Sequence, residues 1–177
     1  MAVAGDGLGA ETMRDALHGL GAEVHALPAG SLADEEEAAA WARERTPLHA
    51  LVLDARGTFA AGGPEGLRIA IEHAWRAVRA VATGALIGST DAGRLLLIAP
   101  PPDAGPHAGA ARAALENLAR TLSVEWARHR VTAVAITPGA GTHDADVAEL
   151  ACFLVSPAGG YFSGCRFDLH CIAAARS

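Results

Sequence analysis

Four groups of residues in this chain have types and spacing that chemistry can use. The first is the glycine cluster Gly5, Gly7 and Gly9, which follows the short apolar start Met1–Ala4. Glycines at such a turn let the backbone approach a pyrophosphate, which then meets a helix N-terminus. The plainer reading is a tight strand-to-helix turn, and a glycine cluster alone does not separate the two. The second group is Asp54 with Arg56, at the end of the strand-like run Leu48–Ala55. They either pair with one another or mark a pocket. The third is His107, a proton donor by type, although it stands at a helix start where positive charge is disfavoured. The fourth is His143, Asp144 and Asp146, which either touch a cation or form a solvated loop. The remaining histidines show no H-E-x-x-H or comparable ligand spacing. Cys152, Cys165 and Cys171 form an odd set without C-x-x-C spacing, and are expected to be reduced and structural.

The elements that must position these groups alternate along the chain. Strands are expected near 1–4, 23–27, 50–55, 94–99, 131–136 and 165–169. Helices are expected near 10–20, 34–45, 64–86, 108–128 and 146–155. Regular alternation of this kind signals a mostly parallel sheet with helices on both faces, a doubly wound α/β domain. The acid run Glu35-Glu36-Glu37 fits the first turn of a helix, where negative charge is stabilising. The stiff loop Pro100-Pro101-Pro102-Asp103 falls at the carboxyl end of a strand, the end where ligands sit in such sheets. No internal repeat or linker interrupts the pattern. With 177 residues the chain is expected to form a single domain with one sizeable core.

Bulk composition narrows the function classes. Hydrophobic residues make up 51% and charged residues 19%, which argues for a compact chain and against disorder. Net charge is −6 and the chain has no lysine, its permanent cations all being arginines without a basic cluster, so a nucleic-acid partner finds no support. No apolar run approaches the ~20 residues of a membrane span. No charged region precedes an apolar core at the N-terminus, so no secretory signal is read and a cytoplasmic location is expected.

The stretch Gly93–Gly139 reads GRLLLIAPPPDAGPHAGAARAALENLARTLSVEWARHRVTAVAITPG. It resembles the catalytic core of the short-chain dehydrogenase/reductase family: G-R-I-V-N-I-S-S, then Y-x-x-x-K-A-A-L on a helix, then a strand ending in P-G. Tyr161–Leu169 is similar to that family's last turn and strand. The resemblance implies a Rossmann-like fold. It also places Arg112 at the family's lysine, Ala108 at its tyrosine, Pro100 at its serine and Val81 at its asparagine. Ala108 has no proton to give, and Pro100 has neither hydroxyl nor N–H. Arg112 keeps a positive charge, but its planar fork is not an ammonium. The resemblance further implies a trimmed chain. The segment between the second and third strands holds only one short helix, where the family fits a further helix and strand around the adenosine. The segment after Gly139 lacks the family's substrate lid. The residues 1–177 are thus expected to be one domain with a shortened cofactor half and no lid, retaining Gly5, Gly7 and Gly9 as a vestige of the cofactor loop.

Two helices carry more apolar surface than one sheet face requires. Ile71, Trp75 and Val78 recur on the 64–86 helix, and Ala111, Ala114, Leu118, Leu122 and Trp126 on the 108–128 helix. Either these residues cover the sheet, or they also bury a second face against a partner, as the corresponding helices of the family do between subunits. The expected role is a non-catalytic subunit that stabilises or shapes an intact, catalytically competent relative. That relative would carry NAD(P) and act on a hydroxyl/keto group, such as one on an acyl thioester. No cofactor is then expected on this chain. The alternative is a divergent NAD(P)-dependent reductase, or a dinucleotide or small-ligand sensor, acting alone.

Overall fold

A computed structural model describes residues 1–5, 8–28, 34–59 and 63–169. Gly7, His170 and Cys171 lie outside the described residues. Six strands form one sheet: β1 (Ala2–Ala4), β2 (His25–Ala26), β3 (Ala50–Asp54), β4 (Gly93–Ile98), β5 (Val131–Thr137) and β6 (Arg166–Asp168). Their order is β2-β1-β3-β4-β5-β6, and every pairing is parallel. The helices are α1 (Leu8–Gly19), α2 (Glu35–Arg43), α3 (Gly63–Val81), α4 (Ala108–Glu125) and α5 (Asp144–Val155). This is the expected single-domain, Rossmann-like α/β fold, with an open, fully parallel sheet.

The strands read as continuous apolar runs because both faces are covered. Side chains alternate between faces with period two. Leu51, Leu53, Leu95, Leu97, Ala133 and Ala135 point into a cluster closed by α2, α3 and α4. Val52, Leu96, Ile98, Val134 and Ile136 point the other way, into a cluster closed by α1 and α5. On α1 the stripe is Ala10, Met13 and Leu17; on α4 it is Ala108, Ala111, Leu115, Ala119 and Leu122. Asp34 caps α2 by accepting from the Glu36 and Glu37 N–H groups at 2.9 and 3.2 Å, with Glu35 to Glu37 in the first turn as expected.

Element ends differ from the sequence reading for local reasons. The expected 64–86 helix ends as α-helix at Val81 and continues as a π-helical turn, Ala82–Leu86. There the Thr83 hydroxyl bonds back to the Arg79 carbonyl at 2.8 Å. The expected 108–128 helix stops at Glu125; a 3₁₀ turn, Ala127–His129, follows, and Arg130 reverses the chain in the left-handed region at φ 58°. No helix among the described residues is long and apolar enough to cross a membrane.

Leu96 is fully buried between α1 and α5. Replacing it by Ala is expected to lower stability by about 2–5 kcal/mol, measured by urea unfolding of the two proteins side by side.

Candidate functional site

The chain order places a topological switch between β1 and β3: β1 is followed by a strand on one side and then by a strand on the other. In open parallel sheets the crevice outside the carboxyl ends at such a point is the ligand position. Gly5 leaves β1 with φ +141°, and an added Cβ there would lie 2.6 Å from the Asp54 carbonyl oxygen. Only glycine lets the β1–α1 turn lie this close to the end of β3.

Asp54, the last residue of β3, is 3% exposed. Arg56 folds back over it. Its Nε donates to Asp54 Oδ1 at 2.9 Å and its Nη2 to Asp54 Oδ2 at 2.7 Å. Its Nη1 bonds Asp144, the first residue of α5. An added Cβ at Gly9, in the first turn of α1, would lie 2.7 Å from Arg56 Cζ. The guanidinium therefore rests on the N-terminal turn of α1, where this architecture seats an anionic ligand. Burial works against the charge on Arg56, but its hydrogen bond and charge contact with Asp54, then those with Asp144, outweigh it and raise its pKa. Two carboxylates and one guanidinium leave the cluster with a formal charge of −1, which opposes a phosphate at this place.

Asp54 and Arg56 pair, and Arg56 alone of the two also walls a pocket. The pocket is a cavity of about 260 Å³ bounded by Arg56, Pro101, Pro138, Gly139, Thr142 and Asp144. Of the His143, Asp144 and Asp146 group, Asp144 serves the arginine, and no metal-holding cluster occurs among the described residues. Asp144 was missed as a partner of Arg56. Its position just after a Pro-Gly stop, in the first turn of a helix, was the available signal.

Arg112 and Pro100 come together. Arg112 Nη1 donates to the Pro100 carbonyl at 2.8 Å and to the Pro138 carbonyl at 2.7 Å. One side chain thereby ties the β4–α4 loop to the end of β5. Burial lowers the pKa of Arg112, with Asp168 and Glu116 opposing and Arg166 assisting; an arginine remains charged regardless. Ala108 stands one turn earlier on α4 and is 3% exposed, while Val81, the last residue of α3, is fully buried. His107 precedes the helix half-buried and makes no side-chain capping bond.

The helix faces resolve differently from the spacing argument. Val78, Ala111 and Leu122 are fully buried within the chain, because they face the sheet, so they are not available to a partner. Ile71, Trp75, Ala114 and Leu118 line an outward groove of about 380 Å³ between α3 and α4. Trp75 is 36% exposed, and nearby Ile69 39%. Trp126 is half-buried beyond the end of α4.

No family model and no curated protein matches the chain. Solved structures do match in fold. The enoyl-[acyl-carrier-protein] reductase (NADH) from Aquifex aeolicus VF5 superposes with a TM-score of 0.76 at 19% identity, covering 95% of this chain and 93% of that one. A short-chain dehydrogenase/reductase family oxidoreductase from Brucella ovis, in complex with a partially ordered NAD, gives 0.72 at 19%, covering 94% and 97%. The citronellol catabolism dehydrogenase of Pseudomonas aeruginosa PAO1 gives 0.66 at 23%, covering 94% and 81%. The likeness is one of fold.

The Arg56 cluster sets a clear contrast. Asp54→Ala leaves a buried guanidinium without its main partner and is expected to cost about 3–5 kcal/mol. Asp144 is 37% exposed at its side chain, so Asp144→Ala is expected to cost about 1 kcal/mol or less. Chemical unfolding of both variants checks the order.

Proposed function

We propose that this chain is a non-catalytic subunit of an oxidoreductase assembly. It pairs with an intact relative of the same fold, which carries NAD(P) and performs the chemistry on a hydroxyl/keto group. The observation that carries this reading is a pairing of opposites. The crevice at the carboxyl ends is filled by the chain's own Arg56, while the outer face of α3 and α4 is left apolar and open.

Three further features support it. Val81, Pro100, Ala108 and Arg112 stand where the resemblance puts a catalytic set, and three of the four have no group that can move a proton or orient a carbonyl. Arg112 is spent on two backbone carbonyls. The segments that the resemblance reads as trimmed are short: among the described residues one helix, α2, lies between β2 and β3, and only residues 138–143 separate β5 from α5. The matched structures are themselves reductases and dehydrogenases, one of them with NAD, which is the chemistry this reading gives to the partner.

The test is native mass spectrometry of the protein gently purified from its own cells, with a Trp75→Asp/Leu118→Asp variant beside it. The expected wild-type result is a complex with a larger, intact dehydrogenase. The variant is expected to fold, because both side chains lie on the outer face, and to appear alone. A wild-type homodimer carrying a dinucleotide-sized mass, with NADH or NADPH fluorescence responding to the isolated chain, would replace this reading by a divergent reductase or sensor acting alone.

A further inference from the structure

The opposite end of the sheet holds a second polar concavity. A cavity of about 330 Å³ opens where β4 and β5 begin, against the last turn of α4 and the 3₁₀ turn before Tyr161. Arg94, Arg130, Ser123, Thr132, Ser163 and Gly160 line it, and among the described residues no carboxylate does. Nothing in the reading of this chain as a subunit uses it.

The hydrogen bonds leave donors over. Arg94 Nε is buried and has no partner. Arg94 Nη1 has one long bond, 3.3 Å to the Gly93 carbonyl. Its Nη2 lies over the bare backbone of Gly160, where an added Cβ would sit 2.5 Å away. Ser163 Oγ accepts from the Ala133 N–H at 3.4 Å, so its own proton is free to be donated. Arg130 is partly spent: it bonds the carbonyls of Ser89 and Thr90. Ser123 is fully spent, donating to the Arg120 carbonyl at 2.7 Å. Asp91, the acid beside this end of the sheet, is taken by His49.

Cations near a helix C-terminus are stabilised by its dipole, and this accounts for positive charge beyond α4. It does not account for a guanidinium whose Nε has no acceptor and whose Nη1 has only one long bond, which leaves the head group with donor capacity to spare. A planar, permanently charged fork with vacant donors, next to a free hydroxyl proton, matches a tetrahedral oxyanion. We propose that this cavity is an anion site for a phosphate group, free or as the monoester of a small molecule, held by Arg94 with help from Ser163 and Arg130.

The experiment is isothermal titration of the full chain with inorganic phosphate and, separately, with glycerol 3-phosphate. Saturable binding is expected, weakened at least about tenfold in Arg94→Met and less in Arg130→Met, and unchanged in Arg43→Met. Arg43 is exposed on α2, outside this cavity. Tighter binding of the ester assigns the remaining volume to an organic group; equal binding assigns the site to the free ion. If Arg94→Met does not fold, Ser163→Ala replaces it, with about a threefold to tenfold loss expected. Amide NMR shifts at Gly160, Ser163 and Thr132 in the wild type locate the ligand. Absence of saturation, shifts elsewhere, or an equal response in the Arg94 and Arg43 variants would mean an adventitious ion only and overturn the proposal.

Discussion

A parallel sheet that is apolar on both faces has only its two ends to spend on polar chemistry. Val52, Leu96 and Ile98 on one side, and Leu51, Leu95 and Leu97 on the other, commit every central strand to packing. The burial of these side chains is the main favourable term in folding, and it leaves little freedom in where a charge can stand. The charged clusters described above accordingly lie where the strands stop. Arg56 with its two aspartates closes the carboxyl ends, and Arg94 with Arg130 faces the cavity at the amino ends.

The carboxyl-end cluster also shows how a cation can rest on a helix N-terminus, a place that disfavours it. The guanidinium does not stand there alone. Asp54 holds it from beneath in a two-pronged bond, and Asp144 holds it from α5, where a carboxylate gains from that helix's own dipole. The arrangement joins β3, α1 and α5 around a single planar group. Arg112 does a parallel job at the next crevice, with carbonyls in place of carboxylates.

Much of the fold was legible because strand and helix periods are written in apolar residues. The alternating faces of β4 can be read from Leu95 to Ile98 directly. What spacing could not decide was which side of an all-round apolar helix faces the sheet. Val78, Ala111 and Leu122 share the chemistry of Ile71, Ala114 and Leu118, and only packing tells them apart. The pairing of Asp54 with Arg56 was open to inspection because a single residue, Ala55, separates them. The bond to Asp144 was not, since the two lie 88 positions apart and only the sheet order brings them together. The amino-end cavity was hidden for the same reason: Arg94, Arg130 and Ser163 come from three separate stretches of chain.

The two sheet faces are completed at different times during synthesis. The helices α2, α3 and α4 leave the ribosome early and can cover their face as β4 and β5 arrive. The other face needs α5, which begins only at Asp144 and makes extensive contact with α1 near the start of the chain. Until α5 emerges, Leu96, Ile98, Val134 and Ile136 have half their roof missing. The nascent protein therefore passes through a stage with an apolar sheet face open to water, the condition in which chaperones engage a chain and neighbouring copies stick together. Late closure by a contact between distant ends makes this small domain dependent, during its birth, on its last third.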